Sequence, residues 1–208
     1  MRPSPLILQR VLAGLLLLMG TMAMAQNQPY RVLETPQSTQ GEGVEVREFF
    51  SYACSHCFNF EPQLVAWTEQ MGERAEVVHT PVTFGRDSWA LLARAYYAAQ
   101  ALEILEQTHS ALFQAIHVDG QTFNEPRDVA RFYARVADVS EMDALNAMNS
   151  FSVNAQINRA ERLTNAYQVP GTPSVGVAGK YLIDVRAAGG QQGMLEVAEQ
   201  LVAEERGG

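Results

Sequence analysis

Cysteine is scarce in this chain: two residues, Cys54 and Cys57, among 208. So few exclude a fold stapled by several disulfides, and they confine all thiol chemistry to one four-residue stretch. As a structural staple the pair is poorly placed. Closing so short a loop is worth about 2 kcal/mol of chain entropy, against about 4.7 kcal/mol for a loop of roughly 100 residues. A second ligand pair of the kind that completes a zinc site is missing too, because His79, His109 and His117 show no paired spacing. Phe58 stands where a c-type haem motif needs His. Positive charge is also short: 15 Lys and Arg face 23 Asp and Glu, a net charge of −8, which excludes nucleic acid as an expected partner. No apolar run after the first 25 residues approaches the roughly 20 needed to cross a bilayer. The glycine-rich stretch Gly189-Gly190-Gln191-Gln192-Gly193 has no Lys and the wrong spacing for a phosphate loop, and reads as a plain turn.

What is present begins at the N-terminus. Arg2 and Arg10 precede an apolar stretch at 11–19, and Ala23-Met24-Ala25 supplies the small residues of a cleavage site. Residues 1–25 therefore read as a secretory signal peptide cut after Ala25. The segment contains no cysteine to carry a lipid. Export places the dithiol where disulfides persist, and loss of Arg2 and Arg10 leaves the remainder more acidic still.

Hydrophobic periodicity orders the rest. Residues 31–35 suggest an edge strand and 44–52 a strand rich in β-branched and aromatic side chains. Cys54 opens a helix that runs to about Met71, contains Pro62 and is ended by Gly72; a second strand follows at 76–84, far enough away to lie parallel to the first. From 88 to 167 helical spacing takes over, with segments near 88–102, 110–116, 126–136, 142–148 and 153–167, and the aromatic residues there read as core. Strand pattern returns at 174–178, turns at Gly179-Lys180 into 181–185, and a final helix covers about 192–204.

Two cysteines at i and i+3 at a helix start can bond to each other, one exposed and one beneath it. Unpaired backbone N–H groups and the positive end of the helix dipole favour a thiolate at Cys54. Glu48 shares a strand face with Val44 and Val46 and should point inward, where a buried carboxylate can move a proton; His79 on the neighbouring strand could complete a polar pocket.

The run Phe49-Phe50-Ser51-Tyr52-Ala53-Cys54-Ser55-His56-Cys57, together with Val169-Pro170-Gly171-Thr172-Pro173, resembles the DsbA family of thiol:disulfide oxidoreductases over essentially the whole exported chain. The resemblance implies an α/β fold, a thioredoxin fold with an inserted all-helical domain: residues 26–87 and 168–208 form the thioredoxin-like part and 88–167 the insertion. It implies that Cys54 is the exposed nucleophile, Cys57 the buried resolving thiol, His56 the histidine between them, and Pro173 a cis-proline beside the sulfurs, preceded by Thr172. Glu48 matches the family acid near the resolving cysteine, and Ser55, Thr172 and Pro173 would face substrate. Many relatives carry Pro at the position of Ser55 and Val at that of Thr172, and both positions tune redox potential and substrate release.

On this resemblance the chain is a periplasmic oxidant whose only redox group is its own disulfide, with no cofactor and no metal. Its partners would be unfolded or partly folded exported proteins with free thiols and a membrane reoxidant of the quinone-linked DsbB type. Two other functions compete. A disulfide isomerase or reductase is mildly favoured by Thr172, although no dimerisation domain fits before Val44. A periplasmic peptide-binding or chaperone module would carry the disulfide for structure alone.

Overall fold

The computed structural model describes residues 28–39, 41 and 43–207, and the proposed signal peptide at 1–25 lies outside them. Strand β1 (Tyr30–Val32) leads to β2 (Val44–Phe50), helix α1 (Ser55–Met71), a 3-10 turn (Gly72–Arg74) and β3 (Ala75–Pro81). Helices α2 (Asp87–Ala101), α3 (Leu105–His117), α4 (Pro126–Val136), α5 (Glu141–Met148) and α6 (Phe151–Ala166) follow. The chain then returns through β4 (Ser174–Val177) and β5 (Tyr181–Ile183) to α7 (Gln191–Gly207).

The strands form one five-stranded sheet in the order β1-β5-β4-β2-β3. β2 and β3 are parallel, with Glu48 opposite His79, while β4 pairs antiparallel with β2 and β5, and β1 with β5. The long crossover through α1 is what permits the parallel pair. Helices α2–α6 fall between β3 and β4 in the chain.

All five strands are shorter than their periodicity predicts, and local chemistry explains two of them. β3 ends at Pro81 because Phe84 and Gly85 both take positive φ, 45° and 68°, and turn the chain away. β5 ends at Ile183 because the Asp184 carboxylate accepts the N–H groups of Arg186 and Ala187 at 2.8 and 2.9 Å, closing a turn. β1 is only Tyr30–Val32, with Leu33 still donating to the Lys180 carbonyl at 2.7 Å.

Helix starts follow their capping residues. Ser140 and Ser150 accept N–H bonds from Asp143 and Val153, and at α4 the Asp128 carboxylate accepts those of Asn124 and Glu125 ahead of Pro126. α1 continues through Pro62 and buries a stripe of Cys57, Phe60, Glu61, Leu64, Trp67 and Met71. Spacing of three and four keeps these on one side of the helix.

β2 is buried on both faces, so its period-two alternation sorts side chains rather than exposing any. Arg47 bonds Glu45 two residues earlier at 2.7 Å and Thr80 Oγ1 at 2.7 Å. Val46 joins the apolar layer made with α1 and α7, whereas Phe50, Tyr52 and Cys57 join the layer built by α2–α6. Cys57 is thus part of the helical block's core. Full burial of a side chain such as Phe50 is worth about 1.5–3 kcal/mol.

Candidate active site

Strand β2 ends in a tight turn in which Ser51 Oγ accepts the Ala53 N–H at 3.2 Å and the Ser51 carbonyl accepts that of Cys54 at 3.0 Å. The turn leaves Cys54 as the extended N-cap of α1, φ −94° and ψ 113°, and its carbonyl takes the N–H groups of Cys57 and Phe58 at 3.1 Å each. Both cysteines are free thiols, Cys54 half-buried and Cys57 fully buried.

That asymmetry sets their acidity. The Cys57 thiol donates to Cys54 and outweighs the cost of partial burial. With help from the Thr172 side chain and the N–H groups of Cys57 and His56, it brings Cys54 from 9.0 down to about 5. Burial pushes Cys57 the other way, far above the ordinary thiol range, reinforced by its bond to Cys54 and by the negative charge of Glu48. At neutral pH one sulfur is an anion and the other a thiol.

The loop before β4 closes over this pair. The Thr172–Pro173 peptide is cis, and the Thr172 carbonyl lies 3.4 Å from Cys54 Sγ. Ser174 Oγ donates to the Gly171 carbonyl at 2.7 Å and fixes the loop. Beside it runs a cleft of about 570 Å³ lined by 170–174, by Tyr30 and Arg31, and by 182–187. Ser55 and His56 are exposed. His56 reaches Cys54 through its backbone N–H, and its carbonyl is held by Gln191 Nε2 at 2.7 Å. The glycine-rich turn read as plain therefore delivers a residue that pins the active-site helix.

Beneath the thiols lies a buried polar cluster. Glu48 is 1% exposed; its Oε2 is 2.8 Å from His79 Nδ1, and its Oε1 has no partner. Burial alone would lower His79, but the bond to Glu48 and the charges of Glu48 and Glu61 raise it. Sequence reasoning placed this pair and missed the rest. Tyr52 Oη meets His109 Nδ1 at 2.7 Å, His109 Nε2 stands 3.3 Å from Glu61 Oε1, and His117 Nε2 bonds the Tyr52 carbonyl at 2.8 Å while stacking on Phe58. Burial would raise Glu61, yet the bond and charge of His109 bring it below the usual carboxylate range. A signal existed: Glu61 and His109 are polar residues at core positions of amphipathic helices.

An acidic, accessible sulfur over a buried thiol, carried between β2 and α1 of a thioredoxin-type sheet, defines the class of thiol:disulfide oxidoreductases. Residues 45–202 match the model of the DSBA-like thioredoxin domain, and the chain belongs to that family. It is 35% identical to the thiol:disulfide interchange protein DsbA of Azotobacter vinelandii, with 97% of each chain covered. With the Burkholderia cepacia protein of the same name it shares 36% identity, over 86% of this chain and 84% of the relative. Among solved structures, Pseudomonas aeruginosa DsbA superposes with a TM-score of 0.80 at 33% identity, covering 86% of this chain and 93% of that one. DsbA from Xylella fastidiosa gives 0.81 at 27% identity, covering 87% and 97%. The chain is a protein-disulfide oxidoreductase with a DsbA-like thioredoxin fold.

Proposed function

We propose that the protein works as an exported oxidant in the periplasm, donating its Cys54–Cys57 disulfide to folding secreted proteins. The observation that carries this reading is the pairing of a Cys54 lowered to about 5 with a Cys57 driven far upward. Stabilising the Cys54 thiolate stabilises the reduced enzyme, and the disulfide gains nothing in return, so electrons flow from substrate to enzyme.

A substrate thiolate attacks Cys54 Sγ, the Cys54–Cys57 bond breaks, and the electron pair leaves on Cys57, which takes up a proton. A second substrate thiolate then attacks the substrate sulfur of the mixed disulfide and expels Cys54 as a thiolate. Substrate leaves oxidised and the enzyme reduced by two electrons. Glu48, with one oxygen unpaired and its charge felt at Cys57, is the proton carrier for the buried thiol. Thr172 and Pro173 line the cleft that an extended substrate would follow, with the exposed Ser55 facing it as well in this reading, and the Thr172 backbone offers it strand pairing. In this reading 88–167 is an insertion in a thioredoxin-like unit made of 26–87 and 168–208, and a DsbB-type quinone-linked membrane protein restores the disulfide.

Equilibration with glutathione tests the reading. A potential more oxidising than about −180 mV, that of protein disulfide isomerase, is expected; one near about −270 mV, that of thioredoxin, would mark a reductant instead.

A further inference from the structure

We infer that Glu61, His79 and His109 form a binding site for one divalent transition-metal ion of the zinc type, beneath the thiols and separate from them. Their ligand atoms lie within 4.8 Å of one another. The residues come from three elements, α1, β3 and α3, which is why spacing along the chain conceals them.

The hydrogen bonds orient the set for a cation. His79 Nδ1 is taken by Glu48 and His109 Nδ1 by Tyr52, so Nε2 of each ring is left for another partner, and that of His109 faces Glu61. A carboxylate or hydroxyl on the second ring nitrogen is the arrangement that fixes metal-binding histidines. The inward atoms are under-satisfied: Glu61 Oε2 is buried and unpaired, and His109 Nε2 has only its 3.3 Å contact with Glu61 Oε1, on residues 8% exposed. Orphaned buried polar atoms are costly and call for a partner. Two imidazoles and one carboxylate suit Zn²⁺ and leave a fourth position for water.

Zinc bonds of about 2.0–2.2 Å place tetrahedral ligands roughly 3.3–3.6 Å apart, so binding requires the side chains to close by about 1 Å. An entry path exists. His79 has a side chain 22% exposed and opens onto a cleft of about 410 Å³ that also presents Glu76, Gln100 and Gln156. A bound ion would clamp the helical block, through His109, to the active-site helix and the sheet.

The test titrates Zn²⁺ and Co²⁺ into the protein with Cys54 and Cys57 joined as a disulfide, so that neither sulfur can serve as a ligand. One ion per chain is expected, with visible cobalt bands and no sulfur-to-cobalt band in the near ultraviolet. Co²⁺ should shift the ring resonances of His79 and His109 among the four histidines. His109→Leu and Glu61→Gln should each weaken binding by more than the roughly 10–100-fold that loss of an outer partner costs, whereas His56→Ala and His117→Ala should leave it unchanged. If the buried variants fail to fold, the wild-type histidine resonances decide alone. No binding, shifts confined to His56 or His117, or full affinity in a folded His109→Leu protein overturns the site.

Discussion

Tyr52 Oη and His109 Nδ1 lie 2.7 Å apart, joining the turn that carries Cys54 to a helix 57 residues further along the chain. Tyr52 is fully buried, and that burial, more than its neighbours' charges, raises its hydroxyl well above the ordinary tyrosine range and keeps it protonated. Tyr52→Phe removes this partner and leaves a buried ring nitrogen unsatisfied, at a cost of about 1–3 kcal/mol. Thermal melts should show a loss of several degrees. An unchanged Tm would mean the bond contributes nothing.

Cys54 should titrate near pH 5 when thiolate absorbance is followed in the reduced protein. Cys57→Ala, which removes the hydrogen bond that favours the anion most, should move the midpoint upward, and Thr172→Val should move it less in the same direction. Because the folded value lies below the unfolded 9.0, the stability this thiolate contributes is complete above about pH 9 and is lost as pH falls through about 5. Melting temperatures of the reduced form should therefore rise relative to the oxidised form between those limits. A more stable oxidised form at pH 7 would indicate a structural disulfide.

Single-cysteine variants should behave differently. Cys54→Ser should abolish disulfide transfer. Cys57→Ser should leave Cys54 able to hold substrates as mixed disulfides, since only Cys57 can release them internally. Non-reducing gels read both outcomes, and equal trapping by the two variants would undo the assigned roles.

Glu48→Gln should slow the steps in which Cys57 gains or loses its proton by about tenfold or more. The midpoint of Cys54 should stay put, because Glu48 is not among the groups that set it. Stopped-flow measurement of mixed-disulfide resolution beside a thiolate titration separates these effects. A shift in both would make Glu48 a general electrostatic influence.

Gly176→Ala tests the packing behind the site. A methyl group there would sit 2.4 Å from Cε1 of Tyr167, which packs at a tilt against Phe49. Overpacking of this kind costs about 1–3 kcal/mol. A melt equal to wild type would show that the Tyr167 ring moves aside freely.

Much of this architecture is legible in one dimension because its determinants are local. Period-two and helical patterns mark β2 and α1, Pro126, Ser140 and Ser150 mark helix starts, and the two cysteines sit where one helix begins. Strand ends are less visible. β5 stops because Asp184 folds back on its own chain, and β3 because Phe84 and Gly85 turn left-handed, features that strand propensity does not register.

By itself the sequence determined the reactive pair, its place at a helix start and the inward-facing Glu48, since each depends on residues a few positions apart; the Thr172–Pro173 loop, 118 residues from Cys54, was implied only by the family resemblance. Only the tertiary structure decided the polar floor under the thiols, where Glu61 from α1, His79 from β3 and His109 from α3 meet. Amphipathic periodicity states that Glu61 and His109 face a core, but not which core. Their partners come from elements up to 57 residues away, brought together by the packing of the helical block on the sheet.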